Sequence, residues 1–301
     1  MKKYIHTVPN FSEGRRKEVI EAIVGQFKDI PGVKLIDYYP DPDFNRTVIE
    51  AIGEPEPLKR ALLNMTGKAV ELINMEEQSG AHPRIGAQDT IPLFPLKNIS
   101  LEECKLLAEE LGKEIYARFQ LPVYLSGENA RTPERKSLDF IRRGQYEGLK
   151  KVVHLPERAP DIGPAALHPT AGAVIVSAGT RPLVAYNIVL NSSDLSLAQG
   201  IAKAVRGPSG GFSTVRAVGL RYEERDLVAV SMNIFDYELT PLYRTFELVK
   251  REAARYGVTV LETQLVGTVP QESLIMVAEY FLQLKSFKRN QILENNLFDL
   301  N

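Results

Sequence analysis

Three adjoining stretches decide the fold: Val33-Lys-Leu-Ile-Asp-Tyr-Tyr39, Pro40-Asp-Pro-Asp-Phe-Asn-Arg46 and Thr47-Val-Ile-Glu-Ala-Ile52. The outer two are runs of β-branched, aromatic and leucine residues, and the middle one is dense in Asp, Pro and Asn, so they read as two strands joined by a turn. Upstream, Lys3 to Pro9 reads as a strand, and Ser12-Glu13-Gly14-Arg15 opens a helix with Val19, Ile20, Ile23, Val24 and Phe27 at helical spacing. Downstream, Pro57 starts a helix through Leu58, Ala61, Leu62, Met65, Ala69, Val70 and Ile73, and Thr90 to Leu96 supplies another strand. The order is βαββαβ.

Further along, Ser100 caps a helix to about Arg118, Leu121 to Ser126 and Gly172 to Ser177 are strand-like, and Glu134 to Arg143 predicts a short helix. Pro156, Pro160, Pro164 and Pro169 mark an irregular segment between them. The same element order then recurs: strand Leu183–Leu190, helix Leu195–Val205, strands Thr214–Arg221 and Leu227–Phe235, helix Pro241–Tyr256, strand Val258–Val266. The expected fold class is therefore α/β (α+β), with two ferredoxin-like βαββαβ subdomains packed side by side, residues 1–178 and 179–301. A last helix is expected over about Gln271–Lys285, and the leucines of the tail from Asn290 to Phe298 suggest docking.

A length of 301 residues suits two compact units. With 37 basic against 38 acidic residues the net charge is −1, so no global field draws the chain toward nucleic acid or an anionic membrane. The single cysteine, Cys104, excludes an internal disulfide and a thiolate-rich metal site, and it reads as a buried small apolar residue. Neither a cleavable leader nor an apolar run of membrane-spanning length is visible, and a cytoplasmic setting is the expectation. No metal-binding motif is present, and Arg206-Gly-Pro-Ser-Gly-Gly-Phe212 lacks the Lys-Ser/Thr ending of a phosphate loop.

Chemistry concentrates at the corners. In Ser79-Gly-Ala-His-Pro-Arg-Ile-Gly-Ala-Gln-Asp89, Pro83 restricts His82 while Gly80 and Gly86 permit turns closed to other residues. His82 reads either as a general base held in a stiff loop or as an ordinary turn residue. Asp89 either orients that imidazole or caps the turn before the next strand. In Val8-Pro-Asn-Phe-Ser-Glu-Gly-Arg15, Asn10 or Ser12 can cap the helix and leave its N-terminus facing a carboxylate, and Glu13 either complements the helix dipole or faces a cationic group. Asp41, Asp43 and Asn45 carry turn chemistry, whereas Arg46 offers a carboxylate-matching fork. With Arg84 and Arg181, three arginines at three corners suggest an anionic ligand. His168 lies on a loop, and His6 and His154 read as packing or edge residues.

The stretches Val8–Arg15 and Ala81–Asp89, Gly163-Pro164 with Gly172, the strand holding Ala185-Tyr-Asn-Ile188, and Gln264-Leu-Val-Gly267 with Val269-Pro270 together resemble the glutamate formimidoyltransferase (formiminotransferase) family. The resemblance implies a homodimeric one-carbon transferase of histidine metabolism, moving the formimidoyl group of N-formimidoyl-L-glutamate to tetrahydrofolate as co-substrate. It implies His82 as the catalytic residue; from the residues themselves, Asp89 is its candidate partner, and Asn10, Ser12, Glu13, Asn45, Arg46, Arg84 and Arg181 are candidate substrate contacts. The family's folate-binding segment falls on Gly163, Pro164, Ala165, Ala166, Leu167, His168, Pro169, Thr170, Ala171 and Gly172. Vertebrate relatives continue into a cyclodeaminase, and a chain stopping at Asn301 reads as a transferase only. Formyl transfer between 5-formyltetrahydrofolate and glutamate on the same scaffold is the nearest rival, and a non-catalytic folate- or carboxylate-binding module is a rival of another class.

Overall fold

The computed structural model describes residues 1–300, with side chains through Asn296. The chain divides into two compact units, Met1–Thr180 and Arg181–Asn301. The first opens with two short strands, β1 (Tyr4–Thr7) and β2 (Asn10–Phe11), interrupted at Pro9, which has no N–H for a ladder. Then follow α1 (Lys17–Val24), β3 (Val33–Asp41), β4 (Arg46–Gly53), α2 (Pro55–Leu72) and β5 (Gln88–Lys97). Both β1 and β2 pair antiparallel with β4 on one side and β5 on the other, and β3 pairs with β4. That arrangement is the split βαβ order expected of a ferredoxin-like unit.

The sheet is larger than four strands. After α3 (Leu101–Phe119) come β6 (Val123–Gly127), α4 (Leu138–Ile141), α5 (Gln145–Val152) and β7 (Val174–Ala178). β7 joins β5 in parallel and β6 joins β7 in parallel, giving seven strands. Parallel strands need cover on both faces. One face packs Ile5, Phe11, Ile49, Ile91, Val123 and Val176 into a core with the apolar sides of α1, α2 and α3. On the other, Tyr124 and Ile175 pack with Ile85, Ile141 and Leu149.

Local chemistry explains most boundaries. Ser100 and Glu103 form the capping box that starts α3, in which Cys104 is buried. The β3–β4 turn is closed by Asp41, whose Oδ1 accepts the N–H groups of Asp43 and Phe44, and by Asn45 in the left-handed region at φ 49°. The single helix expected over 134–143 is instead a 3-10 turn at Pro133–Lys136 followed by α4, and α5 follows separately. Ser137 accepts the Asp139 N–H and starts α4 afresh, while Gly144, at φ 83°, breaks the chain before α5.

The second unit is built from β8 (Val184–Leu190), α6 (Leu195–Val205), β9 (Val215–Tyr222), β10 (Leu227–Ile234), α7 (Leu242–Ala254), β11 (Val260–Val266) and α8 (Gln271–Leu282). Its four antiparallel strands run β11-β8-β10-β9, the ferredoxin-like order again. Of the tail leucines expected to dock, Leu293 is exposed and Leu297 lies outside the described side chains. Among the described residues no helix is long and apolar enough to cross a membrane.

The His82 loop is fastened into the first unit where Gly86 meets the chain at 171–173. The Ala87 N–H donates to the Ala171 carbonyl at 2.9 Å and the Ala173 N–H to the Ile85 carbonyl at 3.1 Å. A Cβ on Gly86 would fall on the Ala173 carbonyl oxygen. Gly86→Ala is therefore expected to lower the unfolding free energy by about 1–3 kcal/mol in a urea titration. An unchanged midpoint would mean that the loop does not depend on this approach.

Candidate active site

Three loops of the first unit are stitched into one corner. Asn45 does most of this, its Oδ1 accepting the Gly14 N–H at 2.9 Å and its Nδ2 donating to the Ser79 carbonyl at 2.8 Å. Ser12 donates its hydroxyl to the Gly86 carbonyl at 2.7 Å, and Thr47 donates to the Glu13 carbonyl at 2.6 Å. Gly80 and Gly86 both lack a positive φ, so close approach rather than turn geometry demands them. At Gly80 a Cβ would collide with the Phe44 carbonyl, which also accepts the His82 N–H.

His82 is 5% exposed, and its Nδ1 is buried without a hydrogen-bond partner. Burial first, then the positive charges of Arg142, Arg46 and Arg84, pushes its pKa from 6.5 down to about 3. At neutral pH the ring is uncharged, so one of its two nitrogens carries a lone pair that can accept a proton. It lies 6.5 Å from the Phe44 ring, and the Arg46 guanidinium stands 5.6 Å from the centroid of that same ring.

Asp89 is placed differently from the imidazole-orienting reading. Its Oδ1 accepts the Ile85 N–H at 2.8 Å and its Oδ2 accepts from Arg142 Nη2, so it braces the loop and holds an arginine, with no hydrogen bond to His82. Burial raises its carboxyl above the ordinary range, against the pull of Arg142 and the Ile85 N–H. Arg142 was not anticipated. It closes the C-terminal end of α4, a turn whose carbonyls at Phe140, Ile141 and Arg143 all accept from the buried Arg158 guanidinium. Its only legible trace in the sequence was the Arg142-Arg143 pair ending an expected helix.

The other candidates sort by how fully they are bonded. Arg84, expected to grip an anion, is 3% exposed and donates to Gln78 Oε1, the Gln78 carbonyl, Gln145 Oε1 and both oxygens of Glu147. Those five bonds use all five guanidinium N–H groups, so Arg84 is a structural clamp. Arg46 keeps a buried Nε without a partner, and so does Arg142. Asn10 does not cap α1: its Nδ2 donates to Thr90 Oγ1 and its Oδ1 is left buried without a partner. Ser12 does not cap it either. Glu13 instead braces the turn ahead of α1, its Oε1 accepting the N–H groups of Arg15 and Arg16 and its Oε2 the Arg16 Nε, while the N-cap residue Arg16 makes no side-chain cap. Burial pushes the Glu13 carboxyl up, but those bonds outweigh it and hold it below its ordinary value. Arg181 belongs to the second unit and is paired there with Asp236 and Glu238.

Segment 163–172 abuts the same loop through Gly86, Ala87 and Ala173. Residues 163–166 and 169–170 are exposed, whereas Ala171 and Gly172 are buried. His168 is half-buried, its Nδ1 accepts the Ala171 and Thr170 N–H groups, and burial lowers its pKa. Of the other histidines, His6 is buried with its Nε2 3.0 Å from Glu50, and His154 is exposed.

Residues 4–179 match the N-terminal subdomain of the formiminotransferase domain, and residues 185–298 match the formiminotransferase domain itself. The chain belongs to the formiminotransferase family. It is 40% identical over 298 residues to a glutamate formimidoyltransferase of Streptococcus pyogenes serotype M1, covering 99% of each chain. Identity to the glutamate formimidoyltransferase of Thermoplasma acidophilum is 39%, covering 97% of each. With the formimidoyltransferase-cyclodeaminase of Gallus gallus it shares 40%, over 94% of this chain and 53% of that one. In this formiminotransferase chain, the residues of the shared corner thus comprise one open imidazole and two incompletely bonded arginines.

The depressed imidazole has a consequence for acid stability. Between pH 6.5 and about 3 the unfolded chain takes up a proton at His82 that the folded chain refuses, so stability falls as pH falls through that window. Relative to His82→Asn, the wild-type protein is expected to lose up to about 1.4 kcal/mol per pH unit there. Urea titrations of both proteins at pH 7, 6, 5 and 4.5 measure the difference. Parallel curves would place the His82 pKa at its ordinary value.

Proposed function

We propose that this protein transfers the formimidoyl group from N-formimidoyl-L-glutamate to tetrahydrofolate, giving 5-formimidoyltetrahydrofolate and L-glutamate, with His82 moving the proton. The observation that carries the reading is the neutral imidazole, its buried Nδ1 without a partner, set beside Arg46 and Arg142 in a chain related from end to end to glutamate formimidoyltransferases.

Transfer requires the folate nitrogen to bond to the amidine carbon, and the bond from that carbon to the glutamate nitrogen to break. The His82 lone pair accepts the proton lost by the attacking nitrogen and returns it to the departing amine, so one ring serves both halves. The incompletely bonded guanidiniums match the carboxylates of the donor. Much of the acceleration comes from holding the reactants in register, because the uncatalysed step is bimolecular. Segment 163–172 supports the folate side: it is hydrogen-bonded to the His82 loop, and its exposed residues give a co-substrate surface next to that loop. The reading places the enzyme in histidine breakdown as a cytoplasmic homodimer.

The test incubates the protein with tetrahydrofolate and N-formimidoylglutamate and identifies the products. His82→Ala is expected to lower kcat by about a hundredfold or more while retaining folate binding. Unchanged turnover in the variant would remove His82 from the chemistry. Transfer from 5-formyltetrahydrofolate to glutamate, with none from the formimidoyl donor, would replace the reading with formyl transfer.

A further inference from the structure

The charges around His82 do not balance. Three guanidiniums bear on the ring, those of Arg142, Arg46 and Arg84. Arg84 is answered by Glu147, 2.6 Å away, and Arg142 by the buried Asp89. Arg46 has Asp41 and Asp89 acting only through space, the former on the exposed side of the hairpin turn, and makes no hydrogen bond through its buried Nε. No other titratable group of the loop at 79–89, the β3–β4 turn, β4 or the α4 end bears on the imidazole. Three buried polar atoms thereby lack partners in one place: His82 Nδ1, Arg46 Nε and Arg142 Nε. Desolvating donors without acceptors is costly, and here two of them sit on permanent cations.

We propose that Arg46 and Arg142 form a two-guanidinium clamp for the paired carboxylates of a glutamate-type dianion, and that seating the dianion relieves the positive field on His82. This rests on the transferase reading for its substrate but not for its test. Without the dianion, burial and then the neighbouring cations oppose a proton on the ring, and the dianion acts on the second of these. With two negative charges between the guanidiniums the protonated ring becomes tolerable, so the proton acceptor is switched on by the donor itself. Asp89 is then a positioning residue, holding Arg142 by one nitrogen and leaving the rest of the fork toward the clamp.

The probe is glutarate, which carries both carboxylates and neither the amidine nor the amine. The ring carbon resonances of His82 in the full-length protein are followed from pH 8 to pH 5, with and without saturating glutarate, and with acetate at equal ionic strength. The expected result is an imidazole neutral throughout in the free protein and in acetate, and one whose titration midpoint enters that range with glutarate, a rise of at least about two pH units. Arg46→Gln and Arg142→Gln should each weaken glutarate binding about tenfold or more by calorimetry. A His82 signal indifferent to bound glutarate, or affinity unchanged in both variants, overturns the clamp. The wild-type titration needs no variant, so a misfolded substitution does not rescue the idea. Formimidoyl transfer assayed on the same preparation separates the two readings: a glutarate response without transfer removes only the transferase, and transfer without a glutarate response removes only the clamp.

Discussion

A carboxylate with no access to water, that of Asp89, ties the His82 loop to the end of α4, beside the bonds that Arg84 makes to Gln145 and Glu147. One oxygen holds the Ile85 N–H inside the His82 loop and the other holds Arg142, fifty-three positions away. A charge buried so completely is tolerable only when both oxygens are answered, and removing one partner of such a pair costs about 3–5 kcal/mol. The pair therefore specifies geometry more than it adds stability. It obliges the turn after α4 to return to the loop, and Arg158 secures that turn by donating to three of its carbonyls. These groups are fixed before any substrate arrives, which is the condition for an imidazole to be aimed.

Around this brace the arginines divide by saturation rather than by sequence context. Arg84 stands two residues from His82 in the most suggestive motif of the chain, yet Gln78, Gln145 and Glu147 use all its donors. Arg46 stands in a hairpin turn of ordinary composition and keeps donors unmet. The difference is energetic: a fully bonded guanidinium gains nothing from a ligand, whereas a buried, under-bonded one replaces an unpaired donor with a charge-assisted hydrogen bond. Binding capacity is thus read from what a cation lacks.

Much of the fold was legible because local signals agreed with tertiary demands. The β-branched runs at 33–39 and 47–52, the Asp and Asn of the turn between them, and the Ser100 cap each act within a few residues of where they are read, and each is found as read. The break at Gly144 and the helix after it were missed, because a left-handed glycine has no periodic signature. The joining of β6 and β7 to β5 was equally invisible, since pairing between strands more than thirty residues apart leaves no local trace. In the site, the residue types were legible and their partners were not. Glu13 and Ser12 were recognised as corner residues, but neither caps α1: Glu13 accepts the Arg15 and Arg16 N–H groups just ahead of it, while Ser12 faces Gly86. Arg142 went unseen because its meaning lies in Asp89, and only the folded chain introduces the two.

The unmet donors also say why this corner sits on fully buried strands of the first unit. Under-bonded cations and a ring held neutral by burial and by those cations are unstable features, and they persist only where the surroundings over-determine them. Here Phe11, Ile49 and Ile91 anchor the strands behind the corner, Gly14 and Gly86 permit backbone contacts that a Cβ would prevent, and Asn45 ties three loops with one amide. A looser scaffold would let Arg46 swing to solvent and Arg142 to the nearest carbonyl, and the cations' share of the imidazole's depression would be lost without any ligand, leaving only burial to oppose its proton. The rigidity of the sheet is what keeps the positive field in place until an anion cancels it.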